Sequence, residues 1–142
     1  MSDPTDCSAI NSTGPLTGLR VVDMTRVIAG PFGGQILSDL GADVIKIERP
    51  GEGDDCRRVG PPWIREPDGD VPGESTYFQS ANRNKRSLSL DFQKPEGQAL
   101  LHRLIETADI LIENYRTGTL ARYGLGYEEL KAINPRLIYG SS

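Results

Sequence analysis

The chain has 142 residues, with 16 Lys and Arg against 20 Asp and Glu, a net charge of -4 and a pI near 5.0. That length suits one domain burying roughly two thirds of its unfolded surface. The acidic balance argues against a nucleic-acid partner, which would want a clustered basic face. No apolar run reaches about 18 residues and no basic-then-apolar leader opens the chain, so neither a membrane span nor export is expected, and the cytosol is the expected location. Cys7 and Cys56 alone do not make a disulfide framework and read as reduced thiols, while a single His, His102, argues against a metal site.

Residues 1–17 are rich in Ser, Thr, Asp, Asn and Pro without apolar periodicity and read as a disordered arm, with the domain running from 18 to 142. LRVVDMT then predicts a short buried strand. AGPFGGQILSDLG predicts a helix with Ile36, Leu37 and Leu40 on one face and Gly41 as its stop, and ADVIKIER a second strand. Strand, helix and strand within about 30 residues make a right-handed βαβ unit. Residues 50–75 hold PGEGDD, GPPW, EPDGD and PGE and read as one long mobile loop. KRSLSLDF alternates like a half-exposed strand, and KPEGQALLHRLIETA predicts a helix opened by Pro95 and Glu96, with apolar Leu100, Leu101, Leu104 and Ile105. DILIENY reads as a buried strand, GTLARYG as a short helical piece, YEELKAIN as a capped helix and RLIYGSS as a last strand. The alternation predicts an α/β, Rossmann-like, mostly parallel sheet with helices on both faces. Because the last strand is followed at once by Ser142, where a crossover helix would normally come, the chain reads as the N-terminal part of a larger fold.

Ligands of open α/β sheets bind outside the carboxyl ends of the strands. That rule selects Arg26 to Gly30, Glu48 and Arg49, Asp91 to Gln93, and Asn114 to Gly118. TRVIAGPFGG brings small residues to a helix N-terminus but is not G-x-G-x-x-G, which weakens a NAD reading; its glycines equally suit tight strand–helix contact. Glu48 stands where a dinucleotide-binding acid would meet a ribose, and Arg49 beside it suits a ribose phosphate, as in NADP or coenzyme A. A surface Glu–Arg pair fits the same spacing. Asn114, Tyr115, Arg116 and Arg122 offer an amide, an aromatic face and two cations to an adenine and its phosphates, or form a solvated loop. NRNKRS could meet a diphosphate or be solvated edge charge. His102 reads as structural or exposed, and Cys56, with no His at a readable spacing, does not read as a catalytic thiol.

The ordered set AGP, GADVIKIERPGxGD, NRNKRS-LD, PEG, D-x-x-x-EN-Y and GLGYE-L, spread over residues 16–142, resembles the N-terminal part of a family III CoA-transferase. The resemblance implies a coenzyme A half-site on a Rossmann-like domain. Carried over residue by residue, its cofactor contacts fall on Ile28, Ala29, Arg49, Leu90, Asp91, Phe92, Gln93, Asn114, Tyr115, Arg116 and Arg122. An apolar Ile28, where some members carry Gln, points to an acyl group other than oxalate or formate. The implied chemistry moves coenzyme A from an acyl-CoA donor to a carboxylic acid acceptor. An Asp attacks the thioester to give a mixed anhydride, and the released thiolate converts it to an aspartyl-CoA thioester. That Asp is expected beyond residue 142, so no catalytic residue is assigned here and Asp91 is read as a cofactor-side position. The resemblance also implies an interlocked homodimer, no metal, and an isolated chain that is inactive and poorly stable. An acyl-CoA racemase of the same superfamily and a non-catalytic nucleotide-binding module are the alternatives.

Overall fold

Val21 and Val22 point to opposite faces of the first strand and are both fully buried, so the sheet is covered on both sides where they stand. The computed structural model of the chain describes residues 13–64 and 74–142. Its strands are β1 (Arg20–Asp23), β2 (Asp43–Glu48), β3 (Arg86–Ser89), β4 (Ile110–Glu113) and β5 (Ile138–Ser141). All pair in parallel, in the order β3-β2-β1-β4-β5. The chain builds outward from β1 to β3 and then crosses back to place β4 on the other side of β1. The order therefore reverses between β1 and β4, the switch point at which a crevice opens beyond the carboxyl ends.

Helices cover both faces. On one side Val21, Ala42 and Val44 meet Leu37 of α1 (Ala29–Asp39), together with Leu16, Leu19, Ile110 and Ile112. On the other, Val22, Ile45, Ile47 and Leu111 meet Leu101 and Ile105 of α3 (Pro95–Ile105) and Leu130 of α4 (Tyr127–Ile133). This agrees with the α/β sheet predicted from sequence. The short α2 (Thr76–Asn82), capped by Ser75 accepting the Phe78 N–H, lies beside α1 and was not expected. GTLARYG forms a 3-10 turn over Leu120–Tyr123, ended by Gly124 in the left-handed region.

Three expectations are corrected. Residues 13–17, assigned to the arm, include a turn in which the Leu16 N–H donates to Leu40 O (3.0 Å) and Leu16 packs under α1; residues 1–12, with Cys7, lie outside the described set. Of the apolar residues chosen for α1 only Leu37 packs on the sheet: Ile36 and Leu40 are 46% and 41% exposed, and the buried residues of the helix are Pro31, Gly34, Gln35 and Ser38. Small residues are needed there because a Cβ on Gly30 would stand 2.4 Å from the Thr25 side chain, and one on Gly34 2.7 Å from Asp23. The loop read as mobile over 50–75 contains a 3-10 turn (Asp55–Arg58) with Cys56 fully buried; residues 65–73 are not described. No helix among the described residues is long and apolar enough to cross a membrane.

Candidate functional site

The loop from β1 to α1 is fastened from three sides. The Arg26 N–H donates to Asn114 Oδ1 (2.8 Å) and Asn114 Nδ2 donates back to the Arg26 carbonyl (2.9 Å), which ties the two strand ends at the switch point. Lys46 Nζ donates to the Thr25 carbonyl (2.9 Å). The Val27 N–H donates to Asp54 Oδ1 (3.0 Å) while Val27 holds a φ of 71°, a conformation that β-branched residues rarely adopt. Lys46 and Asp54 themselves form a buried ion pair at 2.8 Å. Burial opposes the charge on Asp54, but Lys46 and the Cys56 N–H outweigh it and hold its carboxyl below the usual range. Ile28 and Ala29 follow directly, at the cap and first residue of α1.

At the end of β2, Glu48 and Arg49 part company. Glu48 is 5% exposed and its oxygens accept from Arg57 Nε and Nη2 (both 2.7 Å), Ser87 Oγ (2.7 Å) and the Asp54 N–H (2.9 Å). Burial raises its pKa, yet these donors outweigh burial and bring it to about 2. With both oxygens doubly engaged, Glu48 is neither a free ribose acceptor nor a surface partner of Arg49. Arg49 instead points outward, half exposed, with Glu52 at 2.7 Å and Asp55 at 3.8 Å; Asp55 also pairs with Arg26.

Beyond β3, Leu90, Asp91, Phe92 and Gln93 form a tight bend in which Asp91 Oδ1 accepts the Gln93 N–H (3.0 Å). The bend sits against the first turn of α3, where Gly97 leaves no room for a Cβ beside Asp91 O. Phe92 meets Tyr115 and Tyr123 edge-on, each with ring centroids 5.5 Å apart. The Tyr115 N–H donates to the buried Glu113 carboxylate (2.7 Å), and burial pushes the Tyr115 hydroxyl up from its ordinary pKa.

These strand ends enclose a cavity of about 360 Å³ lined by Thr25, Arg26, Glu48, Arg49, Asp54, Leu90 to Gln93 and Tyr115, among others. Six of the eleven residues selected from sequence line it: Arg49, Leu90, Asp91, Phe92, Gln93 and Tyr115. Ile28, Ala29 and Asn114 stand in its supporting loops. Arg116 and Arg122 are exposed, without a carboxylate partner among the described residues. Sequence reasoning missed Asp54, which lines the cavity, and Lys46 and Arg57, which pair with the lining carboxylates Asp54 and Glu48.

The other candidates are structural. Each cation of NRNKRS has a carboxylate: Arg83 with Asp39 (2.6 Å), Lys85 with Asp23 (2.7 Å) and Arg86 with Asp43 (2.6 Å). Lys85 is buried and also donates to Pro31 O and Asn82 Oδ1, so the run stitches α1, α2 and the sheet together. His102 Nε2 bonds the Gly124 carbonyl (2.9 Å). Burial, reinforced by Asp54, pushes the Cys56 thiol up to about 12, leaving it un-ionised near neutral pH.

Residues 16–142 match the family model for CoA-transferase family III. The chain is 50% identical over 131 residues to the succinate-glutarate CoA-transferase of Agrobacterium fabrum, covering 92% of this chain and 32% of that protein. It is 46% identical over 134 residues to human succinyl-CoA:glutarate CoA-transferase, covering 94% of this chain and 29% of the relative. A CAIB/BAIF family protein from Brucella suis superposes with a TM-score of 0.83 at 54% identity, over 90% of this chain and 33% of that one. The chain thus spans about a third of the length of the relatives it matches. The motifs read from the sequence, the parallel sheet with its switch-point cavity and these matches agree, and the chain belongs to CoA-transferase family III.

Proposed function

We propose that this chain supplies the coenzyme A-binding part of an enzyme that transfers coenzyme A between carboxylic acids. The observation that carries the reading is the cavity at the carboxyl edge of the sheet, where Arg49, the Leu90–Gln93 bend and Tyr115 come together in a member of this family. Its volume lies within the usual range of ligand pockets, roughly 300–1,000 Å³. Its lining fits the group: the half-exposed guanidinium of Arg49 suits a phosphate, and the rings of Phe92 and Tyr115 suit an adenine, while Arg116 and Arg122, exposed outside the cavity lining, are further cations for phosphates. Ile28 and Ala29 bring the first turn of α1 to the same edge.

In this reading coenzyme A supplies the thiol that carries the acyl group, and the residues of this chain hold and orient it. The carboxylates of the cleft are otherwise engaged. Glu48 and Asp54 are buried in ion pairs, and Asp91 closes its own bend. The nucleophilic Asp that becomes the aspartyl-CoA thioester is therefore assigned to none of them. The proposed setting is a cytosolic, interlocked homodimer acting on an acyl-CoA donor and a carboxylic acid acceptor. Similarity to relatives named for glutarate, oxalate and mesaconate supports a carboxylic acid acceptor without selecting one.

Calorimetric titration with coenzyme A and 3′-dephospho-CoA tests the assignment. The protein is expected to prefer coenzyme A by about tenfold, the worth of roughly one charge-assisted contact, and Arg49→Ala is expected to abolish that preference. Equal binding of the two ligands by the unaltered protein, or an unchanged preference in Arg49→Ala, would overturn the role of Arg49. Absence of binding to either ligand would overturn the coenzyme A reading itself.

A further inference from the structure

Three consecutive residues of the β1–α1 loop have their backbone groups taken by three side chains from elsewhere: Thr25 by Lys46, Arg26 by Asn114 and Val27 by Asp54. The last of these is unlike the others, because Val27 is held where its own side chain opposes the conformation. A φ of 71° on a residue branched at Cβ is a strained state that persists only when its surroundings over-determine it. Asp54 is suited to that task. It is 3% exposed, its Oδ1 accepts from both Val27 (3.0 Å) and Cys56 (3.1 Å), and its Oδ2 lies 2.8 Å from Lys46 Nζ. The loop it bends carries Arg26, which lines the cavity, and leads into Ile28 and Ala29.

We infer that Asp54 is a positioning residue for the coenzyme A cleft: by holding Val27 in the left-handed conformation it sets Arg26, Ile28 and Ala29 at the angle the ligand requires. The inference rests on the coenzyme A reading above. Asp54 acts through Val27 and need not touch the ligand. Removing it lets Val27 relax to negative φ and swings the loop, so that part of the binding energy goes into restoring the bound shape. Glycine at 27 adopts positive φ without opposition from a Cβ, and so separates this role from a general contribution to folding.

The test is run on the full chain with Lys46→Met and Asp54→Ala made together, so that neither buried charge is left without its partner. Against wild type, this double variant is expected to weaken coenzyme A binding about tenfold, a factor within the range for a strained backbone state. Adding Val27→Gly to that double variant is expected to recover at least threefold of the loss. An affinity of the double variant unchanged from wild type, or no recovery with Val27→Gly in a variant with an intact melting transition, would overturn the inference. Should the Asp54→Ala double variant fail to fold, Val27→Pro with Lys46 and Asp54 untouched asks the same question. It removes the donor and forces negative φ, and an affinity unchanged from wild type would equally overturn the inference. Amide exchange in the ligand-free protein provides a readout independent of coenzyme A. Asp54→Ala is expected to speed exchange at residues 25–28, and unaltered exchange there overturns the inference even if no variant binds coenzyme A, the result that counts against the ligand assignment instead.

Discussion

Arg57 grips Glu48 with two parallel hydrogen bonds of 2.7 Å, Nε to Oε2 and Nη2 to Oε1, while its remaining Nη1 reaches Glu74 at 2.6 Å and its guanidinium carbon lies 3.7 Å from the centre of the Phe78 ring. One side chain thus joins the end of β2, the turn that follows it and α2. Planar, forked geometry is what allows a guanidinium to do this where an ammonium could not. Arg57→Ala leaves a buried carboxylate without its cation and is expected to lower stability by about 3–5 kcal/mol, with Arg57→Lys between that and wild type. Urea denaturation measures both; a loss below about 1 kcal/mol for Arg57→Ala would mean that the pair behaves as an exposed one.

The same carboxylate predicts an acid limb of instability. Glu48 is held at about 2 in the folded chain against 4.5 in its ordinary state, so the folded form binds this proton less readily than the unfolded form. Its contribution is present in full above about pH 4.5 and is lost as pH falls toward 2. The size is on the order of 3 kcal/mol. Stability measured from pH 6 to 2 should fall more steeply in wild type than in Glu48→Gln, which no longer titrates at this position; identical slopes would contradict the assignment.

Two helical glycines should respond to alanine with opposite signs. A Cβ on Gly97 would stand 2.0 Å from the backbone oxygen of Asp91, which cannot yield without moving the Leu90–Gln93 bend. Gly97→Ala is therefore expected to cost about 1–3 kcal/mol and to weaken coenzyme A binding. Gly33 has no atom within 4 Å of the same added carbon, so Gly33→Ala should gain about 0.5–1 kcal/mol from helix propensity alone. Thermal melts of the two variants provide the check, and a shift of the same sign in both would remove the steric account of Gly97.

The strands were legible because runs such as VVDM, VIKIE and ILIE are short, apolar and bounded by turns, and their alternation with helical patterns implies parallel pairing. α2 was not, since Thr76–Asn82 buries only Phe78, Ala81 and Asn82 and shows no apolar stripe. α1 misled for the opposite reason. Of its apolar stripe Ile36 and Leu40 face solvent and only Leu37 reaches the sheet, and its buried face is otherwise small and polar because Thr25 and Asp23 lie close beneath it. Within the site, the cavity residues at the strand ends followed from topology. The charges that support them did not, because Lys46 lies in an apolar strand and Lys85 in a basic run, and only the fold brings Asp23 to Lys85 across 62 positions of sequence. Charged residues read as surface until a partner distant in the chain accounts for their burial.

The three fastenings of the β1–α1 loop all grasp main-chain atoms: the carbonyl of Thr25, both polar groups of Arg26 and the N–H of Val27. None of these bonds reads the identity of the residue it holds. The path of the loop is therefore separable from its lettering. Substitutions at positions 26 and 28 can change the side chains this loop presents while its bend stays in place, so this stretch of chain can be re-lettered without being refolded for each change.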